Sequence, residues 1–77
     1  MKDIKEILAS VFRIKPSEIS NDTEIKDVDS WDSLTHMEMI AALEQEFKIE
    51  FDADEIMSMT IFSTIQELVN KRLNNGN

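Results

Sequence analysis

The 77 residues contain no cysteine, one glycine and one proline. Without thiols the chain forms neither a disulfide nor a thiolate metal site, and it offers no nucleophilic sulfur of its own. Any thiol chemistry has to be brought in. One Gly, one Pro and no low-complexity run describe a single small domain over residues 1–77, with a core over about 2–75. Such a core is too slim for a deep substrate cavity, so an enzyme acting alone is not expected. No apolar run approaches the length of a membrane span. The opening Met1-Lys2-Asp3-Ile4-Lys5-Glu6 lacks the continuous apolar core of a signal peptide. The expectation is a cytoplasmic protein with no membrane insertion.

Positive charge is scarce in the middle of the chain. Residues 1–16 hold four bases and two acids, residues 17–59 two bases and thirteen acids, and residues 60–77 two bases and one acid, for a net charge of -8. So acidic a middle repels nucleic acid and anionic membranes, both of which are gripped through Lys and Arg. It suits a basic protein partner, because complementary fields speed encounter. A solvated surface that serves only solubility accounts for the charge equally well.

The apolar pattern is helical. Asp3-Ile4-Lys5-Glu6 has the form of a capping box, and Ile4, Ile7, Leu8, Val11 and Phe12 recur at three- and four-residue spacing, which predicts a helix over about 3–13. Pro16 disfavours helical geometry at Lys15 and ends it. Pro16-Ser17-Glu18-Ile19 suits a short helical turn, and Ser20 to Asp32 reads as a long loop pinned by Ile19, Ile25 and Val28. A second helix is expected from Ser33 to about Lys48, with Met39, Leu43 and Phe47 on one stripe and Leu34, Met37 and Ala41 on a neighbouring one. Both stripes cannot easily be buried in so small a domain. A short helix follows from Asp52-Ala53-Asp54-Glu55, carrying Ile56, Met57 and Met59. The last helix is expected to open on the overlapping boxes Ser63-x-x-Gln66 and Thr64-x-x-Glu67 and to stop near Gly76. No segment alternates with period two for long enough to be a strand. The fold class is therefore all-α: three main helices and one short one in a small bundle, with a long loop after the first helix.

Ser33 stands out in this pattern. It follows Asp32, a suitable N-cap, and sits in the first turn, where backbone N–H groups lack intrahelical partners and carry the positive end of the helix dipole. A phosphodiester on its hydroxyl is electrostatically welcome there. A plain capped helix start explains the same few residues.

Asp32-Ser33-Leu34 at a helix start, after an acidic loop, resembles the acyl carrier protein family. The resemblance extends to Ser17-Glu18-Ile19 with Asp22-Thr23, to Ala42-Leu43-Glu44-x-Glu46-Phe47 with Ile49, and to Thr64-Ile65-x-Glu67-Leu68-Val69. It spans residues 2 to 73 in order and spacing. It implies a right-handed-wound four-helix domain in which Ser33 takes a 4'-phosphopantetheine arm from coenzyme A, through a phosphopantetheinyl transferase. The arm's thiol would hold acyl or aminoacyl groups as thioesters and shuttle them between partner enzymes in fatty-acid, polyketide or other specialised biosynthesis. The chain would be a monomeric carrier and a substrate of other enzymes, not a catalyst. Its partners would be that transferase, an acyl- or aminoacyl-loading ligase or transferase, and synthases with basic docking patches. The positions matching the family's docking face are Leu34, Met37, Glu38, Ala41 and Glu44. An apolar Met37 ringed by carboxylates suits reversible docking, whereas Met39 is expected to fill the core.

The chain departs from the commonest family pattern in three places. Trp31 stands where a small residue often precedes Asp-Ser-Leu, and it is expected to anchor the loop over the core. Gln45 stands where an acid is frequent. The segment Ile56 to Thr64 looks longer than in fatty-acid carriers, and Phe62-Ser63-Thr64-Ile65 is closer to carriers of secondary metabolism or peptide synthesis. A specialised carrier is as consistent with these residues as a housekeeping one. The well-filled interior implied by Phe12, Phe47, Phe51 and Phe62 favours short or polar cargo.

Three other readings compete with this one. Asp27 to Glu38 places acids at positions one, three and twelve of a calcium loop, but position five is Trp31 and position six is Asp32 in place of glycine, which leaves only weak divalent binding by clustered carboxylates. No metal site is therefore expected. A triad of Asp32, Ser33 and His36 lacks an oriented base and an oxyanion hole, so His36 is read as a solvated helix residue near the arm. The remaining rival is a helical adaptor that keeps the fold without the modification.

Overall fold

The computed structural model describes residues 3–75 of the chain. Met1, Lys2 and the expected stop at Gly76 lie outside the described residues. Four helices follow in order: α1 (Ile4–Phe12), α2 (Ser33–Phe47), α3 (Ala53–Ser58) and α4 (Phe62–Asn75). Among the described residues there is no strand, only an isolated antiparallel bridge between Glu24 and Ile61.

Asp3 caps α1 by accepting the Glu6 N–H at 2.8 Å, which is one half of the expected box. The helix buries Ile7, Leu8, Ala9 and Phe12 as a single stripe. It closes on Arg13, which takes the left-handed conformation (φ 59°, ψ 45°) and donates its N–H to Ala9 O, with the Ile14 N–H reaching the same carbonyl at 3.0 Å. A turn of 3-10 helix over Pro16–Glu18 then carries the chain away. The boundaries differ from the expected 3–13 by one residue at each end, because Asp3 acts as the cap and Arg13 has already left the helix.

The long loop is tied by its backbone. It carries a second 3-10 turn at Ile25–Asp27, buries Ile19, and leans Ile25 and Val28 against the core. The Ile25 N–H donates to Thr60 O at 2.9 Å, and the Thr23 and Asn21 carbonyls accept from the Phe62 and Ser63 N–H groups at 2.9 and 3.2 Å. These two carbonyls correct the expected start of α4. The helix begins at Phe62, before both proposed boxes, and its first free donors are satisfied by the loop rather than by the Ser63 or Thr64 side chains.

The α2 helix packs on α1 and α4 and sends Met39, Ile40 and Leu43 into the core. It ends at Lys48 in the left-handed conformation (φ 56°). Asp52 caps the short α3, where the Asp52 and Glu55 carboxylates each accept the other's backbone N–H at 3.0 and 2.9 Å. The centre of the bundle is filled by Phe12, Leu8, Met39, Leu43, Met59, Phe62, Ile65 and Val69, all essentially inaccessible. Full burial of each such side chain is worth about 1.5–3 kcal/mol, the main favourable term in a domain of this size. Phe47 is only half-buried, and Met57 of α3 lies in solvent, outside the core.

Candidate functional site

The junction between the loop and α2 is held on three sides. The Ser30 hydroxyl donates to the Phe12 carbonyl at 2.7 Å and fastens the loop to the end of α1. Trp31 is 5% exposed and lies on the Phe12 ring, with centroids 4.8 Å apart and planes at 26°, so it anchors the loop over the core as expected. The Trp31 indole N–H donates to His36 Nδ1 at 3.0 Å, and His36 Nε2 meets the Ile56 carbonyl of α3 at 2.8 Å. An indole nitrogen can only donate, so Nδ1 accepts and the ring is the neutral tautomer that donates from Nε2.

His36 is therefore not the solvated residue expected from the sequence. It is half-buried and links the loop, α2 and α3. The partner it needs is a backbone carbonyl on another element, which no periodicity in the sequence reveals. The one available signal was an indole and an imidazole flanking the same helix start.

Asp32 forms the cap. Its carboxylate accepts the Thr35 N–H at 2.9 Å, while the Thr35 hydroxyl accepts the Asp32 N–H at 2.8 Å and donates to Ser30 O at 2.6 Å. The Thr35 N–H, more than any other group, lowers the Asp32 carboxyl below its ordinary value; the Thr35 hydroxyl and the Leu34 N–H add to it, and desolvation opposes them.

Ser33 is the first residue of α2 and is exposed. Its hydroxyl has no hydrogen bond among the described residues. Both His36 nitrogens are engaged elsewhere, so Asp32, Ser33 and His36 do not form a catalytic relay. Ser33, position seven of the calcium loop, is already the first residue of α2, so its carbonyl points along the helix instead of toward a cation. What the arrangement offers is a free hydroxyl on a rigid, capped helix end whose dipole favours an anion, and this fits a phosphodiester.

The docking candidates lie along the same helix. Leu34 and Met37 are 70% and 51% exposed, and Glu38 and Ala41 also face solvent, whereas Met39 is fully buried. Glu44 differs from the others. It is half-buried, and its carboxylate accepts the Phe51 N–H at 2.9 Å, which fixes the entry to α3.

The joint between α3 and α4 has no signal in the sequence. Glu55 is buried, and its Oε1 accepts from Arg72 Nε at 3.1 Å and also from the terminal Arg72 nitrogen. The Arg72 hydrogen bond, more than the Asp52 N–H that assists it, holds the Glu55 carboxyl below its ordinary value, and the same contact raises the Arg72 guanidinium.

Residues 2–71 match the family model described as the phosphopantetheine attachment site. The chain is 38% identical over 71 residues to an acyl carrier protein of Buchnera aphidicola subsp. Schizaphis graminum, covering 91% of this chain and 90% of the relative. It is 33% identical over 69 residues to a non-reducing polyketide synthase of Talaromyces marneffei, of which the match spans 3%. Among solved structures it superposes on a holo acyl carrier protein from Geobacter metallireducens with a TM-score of 0.86 at 32% identity, covering 95% of this chain and 84% of the other. A capped helix with an exposed serine, the four-helix architecture and these likenesses agree: the chain belongs to the phosphopantetheine attachment family and is an acyl carrier protein whose prosthetic group is phosphopantetheine.

Proposed function

We propose that Ser33 is the residue that bears the 4'-phosphopantetheine and that residues 1–77 act as one carrier domain. The observation that carries this reading is the exposed, unengaged Ser33 hydroxyl on a helix end that the Asp32, Thr35 and Trp31 hydrogen bonds hold still. When attached, the arm supplies a flexible thiol on which acyl or aminoacyl groups are held as thioesters. The chain's own tasks are to give up the Ser33 proton to the transferase, to form the ester oxygen–phosphorus bond as the pyrophosphate bond of coenzyme A breaks and adenosine 3',5'-bisphosphate leaves, and to keep the attachment point in place. It acts as a substrate and carrier and catalyses nothing itself.

Partner enzymes dock on the exposed side of α2 through Leu34, Met37, Glu38 and Ala41, with Glu44 at the far end largely committed to Phe51. The net charge of -8 supports partners with basic patches, namely a phosphopantetheinyl transferase, a loading ligase or transferase, and synthases. The protein works as a cytoplasmic monomer in fatty-acid, polyketide or related specialised synthesis. The filled core and the His36 link between α2 and α3 support short or polar cargo carried outside the bundle.

Incubation with coenzyme A and a broad-specificity phosphopantetheinyl transferase, followed by intact mass, tests the assignment. Wild-type protein gains one phosphopantetheine and Ser33→Ala gains none. An unchanged wild-type mass would leave the unmodified adaptor as the better account, and equal gain by the variant would move the attachment elsewhere.

A further inference from the structure

We propose that the groove between α1 and α2 is a cradle for the phosphopantetheine arm and that Arg13 is its phosphate-binding residue; the proposal rests on Ser33 as the attachment point. The groove has a volume of about 760 Å³ and begins at Asp32 and Leu34, the two neighbours of Ser33 in sequence. It follows the seam between the helices as far as Gln45, about 16 Å along the α2 axis from Leu34. Ser33 itself does not line the groove, so an arm leaving it turns over Leu34 to enter.

Arg13 is an exposed residue that lines this groove and also the neighbouring depression beside Glu18, Asp27 and Asp29. The bond from the Ser30 hydroxyl to the Phe12 carbonyl brings the end of α1 against the residue three before Ser33, and Arg13 is the next residue after that carbonyl. The chain keeps this long cationic side chain at a left-handed position (φ 59°) that glycine fills more easily. Among the described residues the guanidinium has no hydrogen bond or ion pair, in a chain with twice as many acids as bases. Two carboxylates share the groove, Asp32, which accepts the Thr35 N–H, and Glu38, and neither is paired with Arg13. A phosphodiester on Ser33 supplies the missing anion, and guanidinium forks bind phosphate oxygens in pairs.

The remaining lining suits the rest of the arm. Val11, Leu34 and Ala41 offer apolar surface to its geminal methyl groups, and Ser10 and Gln45 offer hydrogen bonds to its amides. Leu34 and Ala41 also belong to the proposed docking face. Arm and partner therefore compete for the same side chains, so an arriving enzyme displaces the arm from the groove and receives the thiol.

The test uses isotope-labelled protein loaded from coenzyme A, with the load on Ser33 verified by mass. Loading is expected to move the Arg13 Nε–Hε resonance and to give nuclear Overhauser contacts between the arm's geminal methyls and the Val11 and Ala41 methyls. In loaded Arg13→Gln these contacts fall several-fold, and loaded Arg13→Gly behaves alike while favouring the left-handed backbone, which removes misfolding as an explanation. Loaded wild-type protein with an unmoved Arg13 signal, or with arm contacts to α3 instead, overturns the cradle and leaves Ser33 standing. So do contacts that persist in both variants. Failure to load at all overturns the Ser33 assignment, and the cradle falls with it.

Discussion

His36 is placed one turn beyond Ser33, and its ring is engaged at both nitrogens. Replacing it with alanine strands the Trp31 indole N–H in the interior, and an unsatisfied buried donor costs about 1–3 kcal/mol. Trp31→Phe removes that donor, so the double variant is expected to be less destabilised than the sum of the two single ones. Urea unfolding of the four proteins measures the coupling. Additivity within about 0.5 kcal/mol would show that the two rings do not act as a unit. At this scale the sequence was uneven. Asp32 as cap, Ser33 as exposed serine and Met39 as core were readable because local spacing decides them. The roles of His36, Glu44 and Glu55 were hidden because each depends on a partner brought in by the fold.

At the scale of elements, α1 and α2 could be placed within a residue or two because their apolar stripes and acidic caps are local signals. The start of α4 could not, because its first donors are met by the Thr23 and Asn21 carbonyls, and a carbonyl leaves no mark in the sequence. The surplus stripe on α2 was legible as a surplus, and its side chains are the ones left in solvent. Met37→Glu, at a side chain that is exposed and outside the core, is expected to lower the transferase's kcat/KM about tenfold, the size of a loss of about 1.4 kcal/mol of docking energy. Glu38→Lys is expected to act mainly on the association rate and to flatten its salt dependence. Thermal melting should leave both variants within about 0.5 kcal/mol of wild type. An unchanged kcat/KM for both would remove this face from the interface.

For the molecule as a whole, two carboxyls make a contribution to stability whose dependence on pH has a definite sign. Asp32 and Glu55 are held below their ordinary values of 3.8 and 4.5, so the native state binds fewer protons there than the unfolded chain. Their contribution is complete above those values and disappears as the pH falls through the lowered ones. The variants Asp32→Asn and Glu55→Gln are accordingly expected to differ from wild type more at pH 7 than at pH 3 in thermal melts. A difference independent of pH would contradict the sign. The chain has one tryptophan, and the fold has set it on Phe12, bonded it to His36 and left it two positions before Ser33. Its ultraviolet emission is thus a built-in gauge: a blue-shifted native spectrum reddens as the bundle melts, and the same fluorophore stands close enough to register the loading of its own carrier without any added label.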